Sequence, residues 1–197
     1  KSIQIANNKK LCLRPSNYNY LKNKSDNLII YSEKEEAYYS KKNNTDISIF
    51  IVGMPRSGST LLESIISMNS EVNDLGETNI LEESFTEWQK IKNHNEKIDL
   101  DELYYEKSHK LNKQSILSTN KNLYNYQYLD IIAKKISNAK IIHCYRNPLD
   151  NILSIYRSYF ANGNDFSSSL IDCAKIYLDQ EEIMRKYKKK YRKIIYD

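Results

Sequence analysis

The residues best able to do chemistry meet at one junction, Gly53-Met54-Pro55-Arg56-Ser57-Gly58-Ser59-Thr60. Two of the chain's four glycines stand here with an arginine and three hydroxyls. A tight loop of small residues running into a helix turns backbone N–H groups toward one point, where the helix dipole also favours negative charge. Pro55, Arg56, Ser57, Gly58, Ser59 and Thr60 are therefore read as an anion-binding loop. Arg56 adds a planar fork that matches a phosphate or sulfate. The spacing is GxxxxG followed by Ser59-Thr60, whereas a nucleoside-triphosphate loop reads GxxxxGK[ST]. Ser59 replaces the lysine that reaches the β- and γ-phosphates. The loop thus fits a 5′-phosphate without a triphosphate tail and speaks against an ATPase, GTPase or kinase. An ordinary strand–helix turn is the plainer alternative.

Arg146 and Ser154, eight residues apart, form a second candidate. Arg146 ends an apolar run, and residue 154 falls nearly two turns into the helix that Pro148 opens. Open α/β sheets bind ligands at the carboxyl ends of their strands, and an arginine with a hydroxyl there suits a second, separate phosphate. The alternative is that Arg146 pairs with an acidic neighbour and Ser154 only packs.

A sheet is needed to hold these groups. Residues 47–52 (ISIFIV) are a continuous β-branched run ending at Gly53, as in a strand buried on both faces of a parallel sheet. Residues 59–69 predict a helix with Leu62, Ile65, Ile66 and Asn69 along one stripe. A helix over 122–137 carries Leu129, Ile132, Ala133 and Ile136 at helical spacing, and a second buried strand follows at 140–145 (KIIHCY). His143, in mid-strand, reads as a structural core histidine. Asn147 is a good N-cap and Pro148 a good first helical residue; the helix they open is expected to turn Leu149, Ile152, Leu153, Tyr156 and Phe160 inward. A long helix over about 168–190 leads to a last strand at 193–197. Residues 71–106 carry eleven acidic and three basic side chains without a clean period and predict short helices and loops. Residues 1–46 read as a helical and loop lead-in. The alternation of strand and helix predicts an α/β domain over 47–197, with a mostly parallel sheet flanked by helices.

The chain has 197 residues, enough for one domain with its own core. Its formal charge of +5 comes from one place: residues 185–193 (RKYKKKYRK) hold seven basic and no acidic side chains, and without them the balance is −2. The body is not basic, so no nucleic-acid partner is expected, and the run reads as a solvated helix face before a nucleic-acid or membrane patch. Cys12, Cys144 and Cys173 are odd in number and form no CxxC pair. Neither a disulfide framework nor a metal site is indicated, and a reducing, cytoplasmic setting is expected. No stretch approaches the ~18 apolar residues of a membrane span. The chain begins without Met and stops just after the strand-like Ile194-Ile195-Tyr196, so further sequence is expected at both ends.

The stretch IFIVGMPRSGSTLLE resembles the 5′-phosphosulfate loop of the sulfotransferase family, and AKIIHCYRNPLDNILSIYRSYF resembles that family's 3′-phosphate motif. The likeness is greatest to the bacterial branch associated with tetratricopeptide repeats and to the protein-tyrosine sulfotransferases. It covers about residues 47–197, and ANNKKLCLRPSNYNY is similar to the linker that follows such repeats. The resemblance implies a P-loop-like α/β fold whose C-terminal part is missing here. It implies 3′-phosphoadenosine 5′-phosphosulfate as co-substrate, without a metal, and an acceptor hydroxyl on a peptide tyrosine, a saccharide or a small alcohol.

On the same resemblance Arg146 and Ser154 bind the 3′-phosphate. Glu77, in Gly76-Glu77-Thr78, matches the position of the base in the tyrosine-directed enzymes. Lys121, after Thr119-Asn120, matches the lysine that contacts the transferring group, and Arg56 shares its role; Asn125 also fits. Leu123 stands where the family usually has proline. A helix-capping role for Glu77 and a solvated Lys121 stay open, and His94 and His109 are alternative bases. A nucleotide kinase-like phosphotransferase and an inactive nucleotide-binding or scaffold domain are the rival functions.

Overall fold

The computed structural model describes residues 1–37, 45–93, 98–111, 116–160 and 162–197. Helices α1 (Ser2–Leu13) and α2 (Tyr18–Lys34) precede strand β1 (Ile47–Gly53). Next come α3 (Ser59–Ile66), β2 (Val72–Asp74), α4 (Ile80–Asn93), α5 (Leu100–Leu111) and β3 (Leu117–Asn120). A 3₁₀ segment, Leu123–Tyr128, runs into α6 (Leu129–Lys135), β4 (Ala139–Cys144) and α7 (Pro148–Arg157). A second, Asp165–Ser168, precedes α8 (Leu170–Lys190) and β5 (Ile195–Tyr196). The five strands lie in the order β2-β3-β1-β4-β5 with every pair parallel. The expected α/β architecture with helices flanking a parallel sheet is what forms.

β1 takes the centre because it is apolar toward both faces: Phe50, Ile51 and Val52 are fully buried. Its register sets Phe50 opposite Asn120 of β3 and Gly53 opposite Cys144 of β4. The three strands therefore deliver the loop at 54–58, Lys121 and Arg146 to one edge. Gly53 has φ 147°, and a Cβ on it would lie 2.2 Å from the Cys144 carbonyl oxygen, so only glycine lets β1 and β4 close together there. Phe50, Val52 and Ile141 pack in the main core with Leu28, Tyr104, Leu129 and Tyr187. Leu21, Met54, Ile155, Phe166 and Cys173 form a second cluster. The lead-in thus reaches the interior through α2, which gives Leu28 to one cluster and Leu21 to the other.

The structure departs from the sequence expectations in five places. Residues 71–106 hold β2 and most of α4 and α5 rather than short helices and loops, and β3 adds a strand whose four residues, Leu-Ser-Thr-Asn, carry no apolar alternation. Their polar groups are satisfied by neighbours instead: Ser48 and Asn120 both bond the buried Tyr104 hydroxyl. The helix expected over 122–137 starts only at Leu129, because Asn122 caps a 3₁₀ turn first. The α3 stripe is rotated: Ile65 and Leu61 are exposed, Asn69 lies beyond the helix end, and Glu63 is buried. In α7 the inner face is Asn151 and Ile155, while Leu149 and Leu153 are exposed. The basic run is partly paired rather than solvated throughout: Lys186 meets Glu33, Lys188 meets Asp197 and Lys190 meets Asp130, with Tyr187 buried between them.

His143 is a core histidine, as expected. It is 2% exposed and its Nε2 lies 2.7 Å from Gln180 of α8. Burial, aided by the Lys188 charge and opposed by Asp197, pushes its pKa down to about 4. An unfolded histidine titrates near 6.5. Between those values only the unfolded chain takes the proton, so this contribution to stability is present above about pH 6.5 and is lost as pH falls toward 4. Chemical denaturation across that window should show the loss, up to about 3 kcal/mol from this group. His143→Gln should flatten the profile; an equally steep profile in the variant would assign the loss to other groups.

Candidate active site

The loop after β1, Glu77, Lys24 of α2, the 3₁₀ segment and Arg146 line one open cavity of about 840 Å³. Every residue from Pro55 to Thr60 stands on its wall. Arg56 at φ 67° and Gly58 at φ 103° are both left-handed. Such turns swing successive amides to one side and form an anion-binding concavity. The conformation costs about 1–3 kcal/mol at a non-glycine residue and persists only where the surroundings dictate it. Here Asn151, fully buried on α7, donates from Nδ2 to the Pro55 carbonyl at 3.0 Å. Gly58 occupies the N-cap of α3 without a side-chain cap, which leaves first-turn N–H groups for a ligand. The Ser57 Oγ is buried and unpartnered among the described residues.

Arg56 donates from Nε to Ser154 Oγ at 3.5 Å, so Ser154 joins the site through Arg56. Arg146 is exposed, and the Tyr177 hydroxyl donates to its backbone carbonyl at 3.1 Å. Among the described residues no carboxylate pairs with either arginine. The structural alternative for Arg146, an acidic partner, is not realised there.

Three distant segments meet around Lys121. Its Nζ lies 3.1 Å from Glu63, 3.5 Å from Glu77 and 3.4 Å from Thr60 Oγ1. Its backbone N–H donates to the Gly76 carbonyl at 3.0 Å, tying the lysine to the Glu77 turn. Asp74 holds the other side of that turn by accepting from the Gly76 N–H at 2.7 Å. Asn122 fixes the turn ahead of Leu123: its Oδ1 accepts from the Tyr124 N–H, and its Nδ2 donates to the Thr78 carbonyl and to Asn79 Oδ1. Lys121 is 7% exposed, not a solvated lysine. Burial works to lower its pKa, but the hydrogen bond and charge of Glu63, with Glu77 beyond, outweigh this and shift it upward. Burial raises the Glu63 pKa, and Lys121 and Thr119 only partly oppose it.

Glu77 points into solvent at 72% side-chain exposure. Its capping alternative falls away because Thr78 Oγ1 accepts from the Ile80 N–H at the start of α4. His109 pairs with Asp46 at 2.9 Å, just before β1 and therefore at the opposite edge of the sheet. His94 lies outside the described residues. Asn125 is buried and donates to Asn120 Oδ1 at 3.0 Å, a support for the turn rather than a cavity group. Sequence reasoning missed Glu63, Asn151 and Asn122. The available signal was a carboxylate among Leu61, Leu62, Ile65 and Ile66 of α3. Among the described residues no cluster of His, Cys, Asp and Glu is arranged to hold a metal ion, and no helix is long and apolar enough to cross a membrane.

The family model described as Sulfotransferase family matches residues 48–196. An uncharacterized protein of Aquifex aeolicus (strain VF5) is 32% identical over 130 residues, which is 57% of this chain and 17% of that protein. The chain therefore spans a small part of the length of that relative.

Proposed function

The chain belongs to the sulfotransferase family, and on that footing we propose that it moves a sulfuryl group from 3′-phosphoadenosine 5′-phosphosulfate to an acceptor hydroxyl. One observation carries the reading: a single cavity joins an anion loop, Arg56 and Arg146, which have no carboxylate partner among the described residues, and Glu77, with the buried Lys121 ammonium 3.5 Å from that carboxylate. The donor set fits the nucleotide. The amides of the loop, the unpartnered Ser57 hydroxyl, Ser59, Thr60 and Arg56 suit the 5′-phosphosulfate end, and Arg146 on the cavity wall suits the 3′-phosphate; Ser154, which bonds Arg56, is assigned to that phosphate on the family resemblance alone. When bound, the nucleotide supplies a sulfuryl group on a phosphate leaving group.

The chain's own residues do the rest. Glu77 accepts the proton of the acceptor hydroxyl at its carboxylate. Lys121 and Arg56 oppose the negative charge that develops on the leaving oxygen. As in phosphoryl transfer, positioning and electrostatics provide most of the rate. Residues 1–46 serve as the lead-in to a catalytic domain at 47–197, and Leu21 and Lys24 of α2 line the cavity. The loop has Ser59 where a triphosphate site has lysine, which disfavours the kinase-like reading.

The test is nucleotide binding. 3′-Phosphoadenosine 5′-phosphate should bind more tightly than ATP without magnesium. Arg146→Ala should weaken that ligand about 10- to 100-fold, the ~1.5–3 kcal/mol of a charge-assisted contact, and leave adenosine 5′-phosphosulfate nearly unchanged. Equal affinity for ATP, or equal losses for both ligands in the variant, would overturn the assignment.

A further inference from the structure

Glu63 has no part in the roles above, yet its surroundings are built around it. It lies on α3 at 3% exposure, while Leu61 and Ile65 of the same helix are 67% and 55% exposed. Hydrophobic burial alone would turn the helix the other way, because a carboxylate out of water is costly unless paired and hydrogen-bonded. Glu63 is both: Oε1 accepts from the Thr119 hydroxyl at 3.0 Å, and Oε2 lies 3.1 Å from Lys121 Nζ. Asp74 is a further neighbour. A lysine is a point charge on a flexible four-carbon stem, and here it is held from one side by Glu63 and by Thr60 Oγ1, with the exposed Glu77 across from it.

We propose that Glu63 is a positioning residue: it anchors the Lys121 ammonium beside the cavity-lining Glu77 and serves as its fixed counter-ion, so that Glu77 keeps its carboxylate for the acceptor's proton. Only the task given to Lys121 and Glu77 rests on the sulfotransferase reading; the anchoring stands on geometry. Glu63 touches no substrate and acts through Lys121.

Glu63→Gln keeps the size and removes the charge. In the intact protein with isotope-labelled lysine, the Lys121 resonance, assigned through Lys121→Arg, should titrate at lower pH than in wild type. Turnover at saturating donor should fall roughly 10- to 100-fold, as for a misplaced catalytic group. Thr119→Val, which removes the hydroxyl fixing Oε1, should shift the same observables in the same direction by less, and serves as well if Glu63→Gln does not fold. A role in packing alone predicts an altered melting temperature with the Lys121 titration unmoved, and that result overturns the proposal. Absence of sulfuryl transfer by wild type would overturn the function instead, while the Lys121 titration would still decide the anchoring.

Discussion

Glu77→Gln is expected to lower turnover by roughly 10²–10⁴ while leaving the fold in place. Glutamine preserves size and hydrogen bonding but cannot take a proton. The structure separates this outcome from a structural one. Glu77 is 72% exposed, its ion-pair partner is Lys121, and the helix cap beside it belongs to Thr78. Stability should therefore stay within about 0.5 kcal/mol of wild type, as for other surface substitutions. Affinity for 3′-phosphoadenosine 5′-phosphate should change less than about tenfold, since the lost interaction belongs to the transition state. Turnover, melting temperature and nucleotide affinity measured on one preparation decide the matter. A variant with wild-type turnover would remove Glu77 as base and leave His94 as the remaining histidine candidate, because His109 stands at the far edge of the sheet.

Lys121→Ala should fail in a different way, losing stability as well as activity. It strips Glu63 of its counter-ion at 3% exposure. Breaking a buried pair by removing one partner costs about 3–5 kcal/mol. The deficit should depend on pH with a definite sign. In the variant the folded-state pKa of Glu63 is raised above its unfolded value of about 4.3. Protonating Glu63 removes the buried charge, so the deficit is small in acid and grows as pH rises through the folded-state pKa toward neutrality. Denaturant unfolding of both proteins at several pH values measures this. The double variant Glu63→Gln with Lys121→Met should regain most of the stability at pH 7 and none of the turnover. A deficit independent of pH, or a double variant no more stable than Lys121→Ala, would show that Glu63 carries no unpaired charge when Lys121 is lost.

The strand–turn–helix at 47–66 was legible in the residues alone, because a buried strand, small residues and a helix start are consecutive and their spacing is the signal. β1 was legible for the same reason, since a continuous β-branched run needs no distant partner to be recognised as buried on both faces; β4 was legible as a strand, but its burial alternates along the chain rather than covering both faces. The absence of the triphosphate lysine was likewise readable at a single position, Ser59. Arg146 could be placed between a strand and a helix, since Asn147-Pro148 fixes where the helix begins.

Which polar residues go inside was settled by packing between elements. β3 reads as a polar tetrapeptide and becomes a strand because β1 and β2 pair with it and the Tyr104 hydroxyl meets Ser48 and Asn120. Asn151 is buried on a helix whose leucines face out, since its amide holds the Pro55 carbonyl under the loop. Glu63 and Lys121 are 58 residues apart in the sequence and 3.1 Å apart in space. Hydrophobic periodicity sorts side chains by their own affinity for water. A buried polar group is decided instead by the partner that satisfies it, and that partner arrives from another element only when the sheet has assembled.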